Sequence, residues 1–178
     1  EEVVRALAPG GVAYVKTGGT WEKTVKPWPD EIDAWTHYLH GPSNNAVAQD
    51  TRVGPPRHMQ WLAAPAWSRN HHKLASVSSA VTAGGRLFAI IDEAAPANIN
   101  LPGKWALVAR DAFSGVTLWK KPIHRWAWHA IRFRSGPPQV TRLLVATDDR
   151  LYAPLDLGAP VSAIDAATGD TLATYDQT

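Results

Sequence analysis

Residues 109–119 read Ala-Arg-Asp-Ala-Phe-Ser-Gly-Val-Thr-Leu-Trp, and the pattern returns at 163–172 as Ala-Ile-Asp-Ala-Ala-Thr-Gly-Asp-Thr-Leu. Asp111 and Asp165 stand 54 residues apart, which marks two copies of one structural unit. Each copy reads as strand, tight turn, strand. An apolar run leads to an Asp and a Ser or Thr whose side chains can cap a turn, and a Gly supplies positive φ. Asp111, Gly115, Trp119, Asp165 and Gly169 are the repeat-motif residues that this pattern singles out.

Strand signals surround both copies. Residues 76–80 and 86–91 flank Thr82-Ala83-Gly84-Gly85 as a hairpin, and 105–109 with 116–120 form a second hairpin around the first motif. Together they make four strands. Residues 143–146 and 150–153, turning at Asp148-Asp149, repeat the first hairpin before the second motif. The expected fold is mainly β, a partial β-propeller of about two four-stranded antiparallel blades with a short α/β N-terminal segment.

The pattern A-x-D-x-x-[TS]-G-x-x-x-W resembles the tryptophan-docking motif of propeller blades in pyrroloquinoline quinone (PQQ) dehydrogenases and their non-enzymatic relatives. The first copy matches throughout, with Ser114 in the Thr place; the second has Ala173 where the Trp should stand and Tyr175 as the nearest aromatic. The resemblance covers about residues 61–178, divided as blades of about 61–122 and 123–178. It implies that Trp119 packs against the neighbouring blade as a structural wedge. Ahead of it, Trp35-x-x-Tyr38-Leu39, then Asn44-Asn45, then Pro55-Pro56 and Trp61 resemble the segment that precedes the first blade of such repeats.

Nine Trp among 178 residues is the compositional outlier. Large flat side chains stabilise stacked sheets and also serve in carbohydrate sites. Eighteen Lys and Arg against sixteen Asp and Glu leave a net charge of +2, which argues against a dedicated nucleic-acid binder. The basic residues cluster: 61–140 hold ten Lys or Arg and three acids, while 141–178 hold two and six. With no cysteine there is no disulfide, thiolate metal site or covalently attached c-type haem, and the adjacent-cysteine pair that packs on PQQ in many of the resembled dehydrogenases cannot form. No apolar run approaches the ~20 residues of a membrane-spanning helix.

At the N-terminus Val3, Val4 and Leu7 give a helical pattern, Pro9-Gly10-Gly11 stops it, and 12–15 read as a strand. Helix, Leu-x-Pro-Gly-Gly and strand resemble the tail of a class I S-adenosylmethionine methyltransferase domain over residues 1–15. Residues 1–20 are thus expected to end a preceding α/β domain. Residues 21–60 are expected to form a connector with a short helix at 29–40, and 59–62 a first strand. In that helix Ile32, Trp35 and Leu39 share one face. Asp33, His37 and His40 share the other, a spacing that can converge on a metal such as zinc.

The most polar place beside apolar strands is Trp67-Ser68-Arg69-Asn70-His71-His72-Lys73. With Asp92 and Glu93 at a strand end, Arg69, His71 and His72 make the candidate ligand cluster. In the run 126–134, Trp126, Trp128 and Arg132 alternate with His129, Ile131 and Phe133, a pattern of a buried inter-blade strand or of a surface for an anionic sugar polymer or single-stranded nucleic acid.

No G-x-S-x-G, H-E-x-x-H, G-x-x-x-x-G-K-[ST] or G-x-G-x-x-G occurs in the chain, which lowers the prior for a hydrolase or kinase. No catalytic set is recognised. The resemblance implies a binding or scaffold module, a fragment whose partners are the remaining blades and a carbohydrate ligand. The alternative is a fragment of an extracytoplasmic PQQ-dependent sugar or alcohol oxidoreductase, in which PQQ with calcium needs a complete ring. A periplasmic setting is implied by the resemblance alone.

Overall fold

The computed structural model describes residues 2–52, 54–55, 57–66, 76–95, 101–126 and 138–178. It is mainly β, built from antiparallel sheets, and divides into two compact units: Glu1–Asp33 with Gln49–Arg57, and Ala34–Ala48 with His58–Thr178.

In the first unit, helix α1 (Glu2–Ala6) is a single short turn stitched by the Glu2–Arg5 ion pair. Strands β1 (Val12–Thr17) and β2 (Thr20–Val25) then pair antiparallel through Gly18 and Gly19 at φ 58° and 91°. Positive φ at both central residues is what a type I′ hairpin turn demands, and Gly-Gly meets it without steric cost. Farther on, Thr51 N–H donates to Glu31 O at 3.1 Å, and Gln49 N–H donates to the Asp33 carboxylate at 2.6 Å.

The second unit carries two consecutive four-stranded sheets. The first runs in chain order through β3 (Val77–Ala83), β4 (Arg86–Asp92), β5 (Trp105–Asp111) and β6 (Thr117–Ile123). The second runs through β7 (Val145–Ala146), β8 (Arg150–Pro154), β9 (Val161–Asp165) and β10 (Thr171–Tyr175), and a short helix α2 (Pro138–Thr141) precedes it. The registers correspond. In the first sheet Val81, Phe88, Ala109 and Trp119 form one cross-strand row, and in the second Val145, Tyr152, Ala163 and Ala173 form the equivalent row.

Alternation along the strands gives each sheet an inward face, and those faces share one apolar core. Phe88, Ile90 and Leu107 of the first sheet join Leu151 and Ile164 of the second and Leu144 just ahead of β7, all fully buried. Each such side chain contributes about 1.5–3 kcal/mol on leaving water. Trp126 completes this core, and its indole N–H is satisfied by Ser78 Oγ at 2.9 Å. Ile91, Ala106 and Val108 form a smaller buried cluster of their own in the first sheet.

Two expectations are corrected. First, residues 29–40 are not helical: after a turn in which Ile32 N–H donates to Pro29 O at 3.3 Å, the chain reaches a second turn closed by a bridge between His37 and His40, with His40 at φ 68°. The backbone groups a helix would use internally are committed elsewhere. Thr82 N–H donates to Trp35 O at 2.7 Å, Trp35 N–H donates to Thr82 Oγ1 at 2.8 Å, and Ala146 N–H donates to Thr36 O at 3.0 Å. Trp35 and Thr36 thus pair with the first strand of each sheet, where edge N–H groups need acceptors. Second, residues 59–62 form no strand. Most of β2 lies within the segment expected as a connector at 21–60, and its hairpin with β1 spans residue 20. The strands of the two sheets span 77–123 and 145–175.

Candidate functional site

The two motif turns are built alike in their backbone hydrogen bonds. Asp111 Oδ1 accepts the N–H groups of Phe113 and Ser114 at 3.1 and 2.7 Å, and Asp165 Oδ1 accepts those of Ala167 and Thr168 at 2.8 Å each. Gly115 N–H returns to Asp111 O and Gly169 N–H to Asp165 O, each at 2.9 Å. Both glycines sit at positive φ, 73° and 81°, where an L side chain is strained. The residue after each Asp ties its turn to the preceding hairpin: Ala112 N–H donates to Gly85 O at 2.9 Å and Ala166 N–H to Asp149 O at 3.0 Å.

Against each turn lies one tryptophan. Trp119, on β6, lays its indole on Gly169 so closely that an added Cβ would stand 2.8 Å from the ring, and its N–H donates to Ala166 O at 3.0 Å. Lys121 Nζ adds a bond to Gly169 O at 2.8 Å, and Phe88 packs on the Trp119 ring at 6.1 Å. Trp61 does the same one sheet earlier: a Cβ on Gly115 would stand 2.5 Å from its ring, and its N–H donates to Ala112 O at 3.0 Å. Arg110 holds this lead-in segment through Ala64 O at 2.9 Å, while its other terminal nitrogen reaches Thr117 Oγ1 at 2.9 Å. The role of Trp61 was missed in the sequence because no Asp-x-x-[Ser/Thr]-Gly turn precedes it. The available signal was Gly115 itself, a docking surface that calls for a ring from upstream.

The turn carboxylates are held as anions. Burial pushes the Asp111 carboxyl up, but the Ser114 hydroxyl and the N–H groups of Ser114 and Phe113 outweigh it, and the net value lies below the ordinary one. Asp165 is lowered by the N–H groups of Thr168 and Ala167, with smaller help from the Thr168 hydroxyl and the Arg86 charge. A carboxylate whose folded pKa is depressed stabilises the fold above its unfolded pKa and loses that effect as the pH falls through the folded value. Resistance to urea should therefore hold steady above about pH 5 and decline below about pH 4. The double variant Asp111→Asn, Asp165→Asn should show a shallower decline. Asp156, lowered chiefly by Arg125, titrates in the same window and remains in both proteins. Equal acid slopes for the two proteins would sink the assignment.

Of the candidate ligand cluster, Arg69, His71 and His72 lie outside the described residues. Asp92 closes a loop: buried, it accepts the N–H groups of Ala94 and Lys104 at 2.9 and 2.7 Å. Glu93 pairs with Lys120. The run 127–134 also falls outside the described residues, and Trp126 at its head is core. The metal reading of Asp33, His37 and His40 is corrected, since the helix that would align them is not formed. The Asp33 carboxylate accepts from Gln49, His37 Nδ1 bonds Thr36 Oγ1 at 2.8 Å, and the His40 ring meets Trp35 edge-on at 5.4 Å. Among the described residues no group of three His, Cys, Asp or Glu is placed to hold a metal ion. Also among the described residues, no helix is long and apolar enough to cross a membrane.

No family model matches the chain, and no curated protein matches it. The architecture defines its class at a coarse level: a mainly β protein with successive four-stranded antiparallel sheets.

Proposed function

We propose that the chain is a PQQ-like β-propeller repeat module serving as a binding scaffold within a larger extracytoplasmic protein. The observation that carries this reading is the doubled docking: two tryptophans, Trp61 and Trp119, each seated on the glycine of the next Asp-x-x-[Ser/Thr]-Gly turn and hydrogen-bonded to the carbonyl after its Asp. Four-stranded sheets stacked in chain order through such contacts are how radial β repeats bury their faces. The described carboxylates of the candidate cluster act structurally, which favours a scaffold over a catalytic centre.

The test presents the protein with PQQ and calcium, follows cofactor absorbance after gel filtration and dye-linked oxidation of sugars and alcohols, and in parallel applies it to a glycan array at low salt. The scaffold reading expects glycan retention and no oxidation. Cofactor-dependent oxidation would instead make the chain part of a quinoprotein oxidoreductase, and an array without retention would remove carbohydrate as its ligand.

A further inference from the structure

Register equivalence shows what the outer face of the second sheet resembles. The row Val81, Phe88, Ala109, Trp119 is the face by which the first sheet packs on the second, and Val81, Phe88 and Ala109 are at most 2% exposed there. Its counterpart, Val145, Tyr152, Ala163, Ala173, lies on the second sheet opposite Leu151 and Ile164. The next row repeats the correspondence: Ile90, Leu107 and Lys121 against Pro154, Val161 and Tyr175. The counterpart face is apolar yet incompletely covered. Val145, Tyr152 and Val161 are half-buried, Ala173 is exposed and Tyr175 is 43% exposed.

We propose that this outer face docks a further four-stranded antiparallel sheet of the same construction, carrying its own Asp-x-x-[Ser/Thr]-Gly turn, and that the occupant supplies the bulk Ala173 lacks. The proposal rests on the repeat reading above. The occupant is set by continuity with the interface already present: the equivalent face one sheet earlier is covered by a sheet of this kind. Its fit differs at one place. Where Trp119 bridges to Gly169 and Ala166, Ala173 carries a methyl group only, so a large side chain of the incoming sheet must supply the bulk that Trp119 supplies between the first two sheets.

The test extends the full chain at its C-terminus by a copy of residues 124–178 carrying Phe at both tyrosine positions, and measures nitration of the original Tyr152 and Tyr175 by tetranitromethane. Exposed Tyr14 serves as the internal standard. Docking should lower nitration of both tyrosines several-fold against Tyr14. Ala173→Glu should restore it while leaving thermal unfolding of the unextended chain unchanged. Nitration that ignores the extension, whether the added sheet folds undocked or stays unfolded, overturns the proposal. So does nitration that falls with concentration in the unextended chain, which would assign the face to a second copy. If the extension fails while Trp119→Ala destabilises as expected below, only this proposal falls; a silent Trp119→Ala removes the repeat reading beneath it.

Discussion

Trp119→Ala is expected to lower the free energy of unfolding of the two-sheet unit by about 3–5 kcal/mol, the range for deleting a large aromatic from a packed site. Three losses combine in that figure. The ring leaves its seat on Gly169, Phe88 loses its aromatic neighbour, and the Ala166 carbonyl loses the indole N–H at 3.0 Å. Trp119→Phe separates them, because it keeps most of the packing and removes the hydrogen bond, which should cost about 1–2 kcal/mol. Trp21, 64% exposed on the hairpin, is the control, and its replacement by Ala should stay within about 0.5 kcal/mol. Urea unfolding followed by circular dichroism measures all three. A loss below about 1 kcal/mol for Trp119→Ala would mean the indole lies on the turn without holding the sheets together.

What the sequence made legible was local chemistry. An Asp that can accept two N–H groups, a hydroxyl and a Gly at fixed offsets specify the turn wherever the rest of the chain goes, so both turns were readable from a handful of residues. The strands around them alternate strongly enough to be placed. What stayed hidden depends on partners far along the chain. Ile32, Trp35 and Leu39 have helical spacing, yet Trp35 and Thr36 pair with Thr82 and Ala146, and edge pairing overrides the periodicity. With the helix went the metal reading of Asp33, His37 and His40, which was a property of helix geometry and of nothing else. β2 escaped because Thr20-Trp21-Glu22-Lys23-Thr24-Val25 is solvent-exposed throughout and shows no apolar alternation. The Gly18-Gly19 pair was its only marker. Trp61 escaped because its contact with Ala112 spans 51 residues and no motif turn precedes it, Gly115 being the one signal that calls for it.

A comparison of three glycines tests whether the docking glycines matter for backbone freedom or for proximity to the indoles. Gly158, Gly169 and Gly115 have φ of 77°, 81° and 73°, so an Ala at any of them incurs nearly the same backbone strain, about 1–2 kcal/mol. Their surroundings differ. A Cβ at Gly158 meets nothing within 4 Å, whereas at Gly169 it would lie 2.8 Å from the Trp119 ring and at Gly115 2.5 Å from that of Trp61. Both distances are too short to persist, so each indole must be pushed off its turn and its hydrogen bond to the carbonyl broken or bent. Gly158→Ala should therefore show strain alone. Gly169→Ala and Gly115→Ala should each lose a further ~1–3 kcal/mol, as expected when packing is forced apart and a bonded carbonyl loses its donor. Combining Gly169→Ala with Trp119→Ala removes the ring that the new methyl strikes, and the added cost of the glycine change should then shrink to the Gly158 value. Trp61→Ala should relieve Gly115→Ala in the same way. Equal losses at all three glycines, or costs that simply add in the double variants, would reduce these residues to ordinary turn glycines.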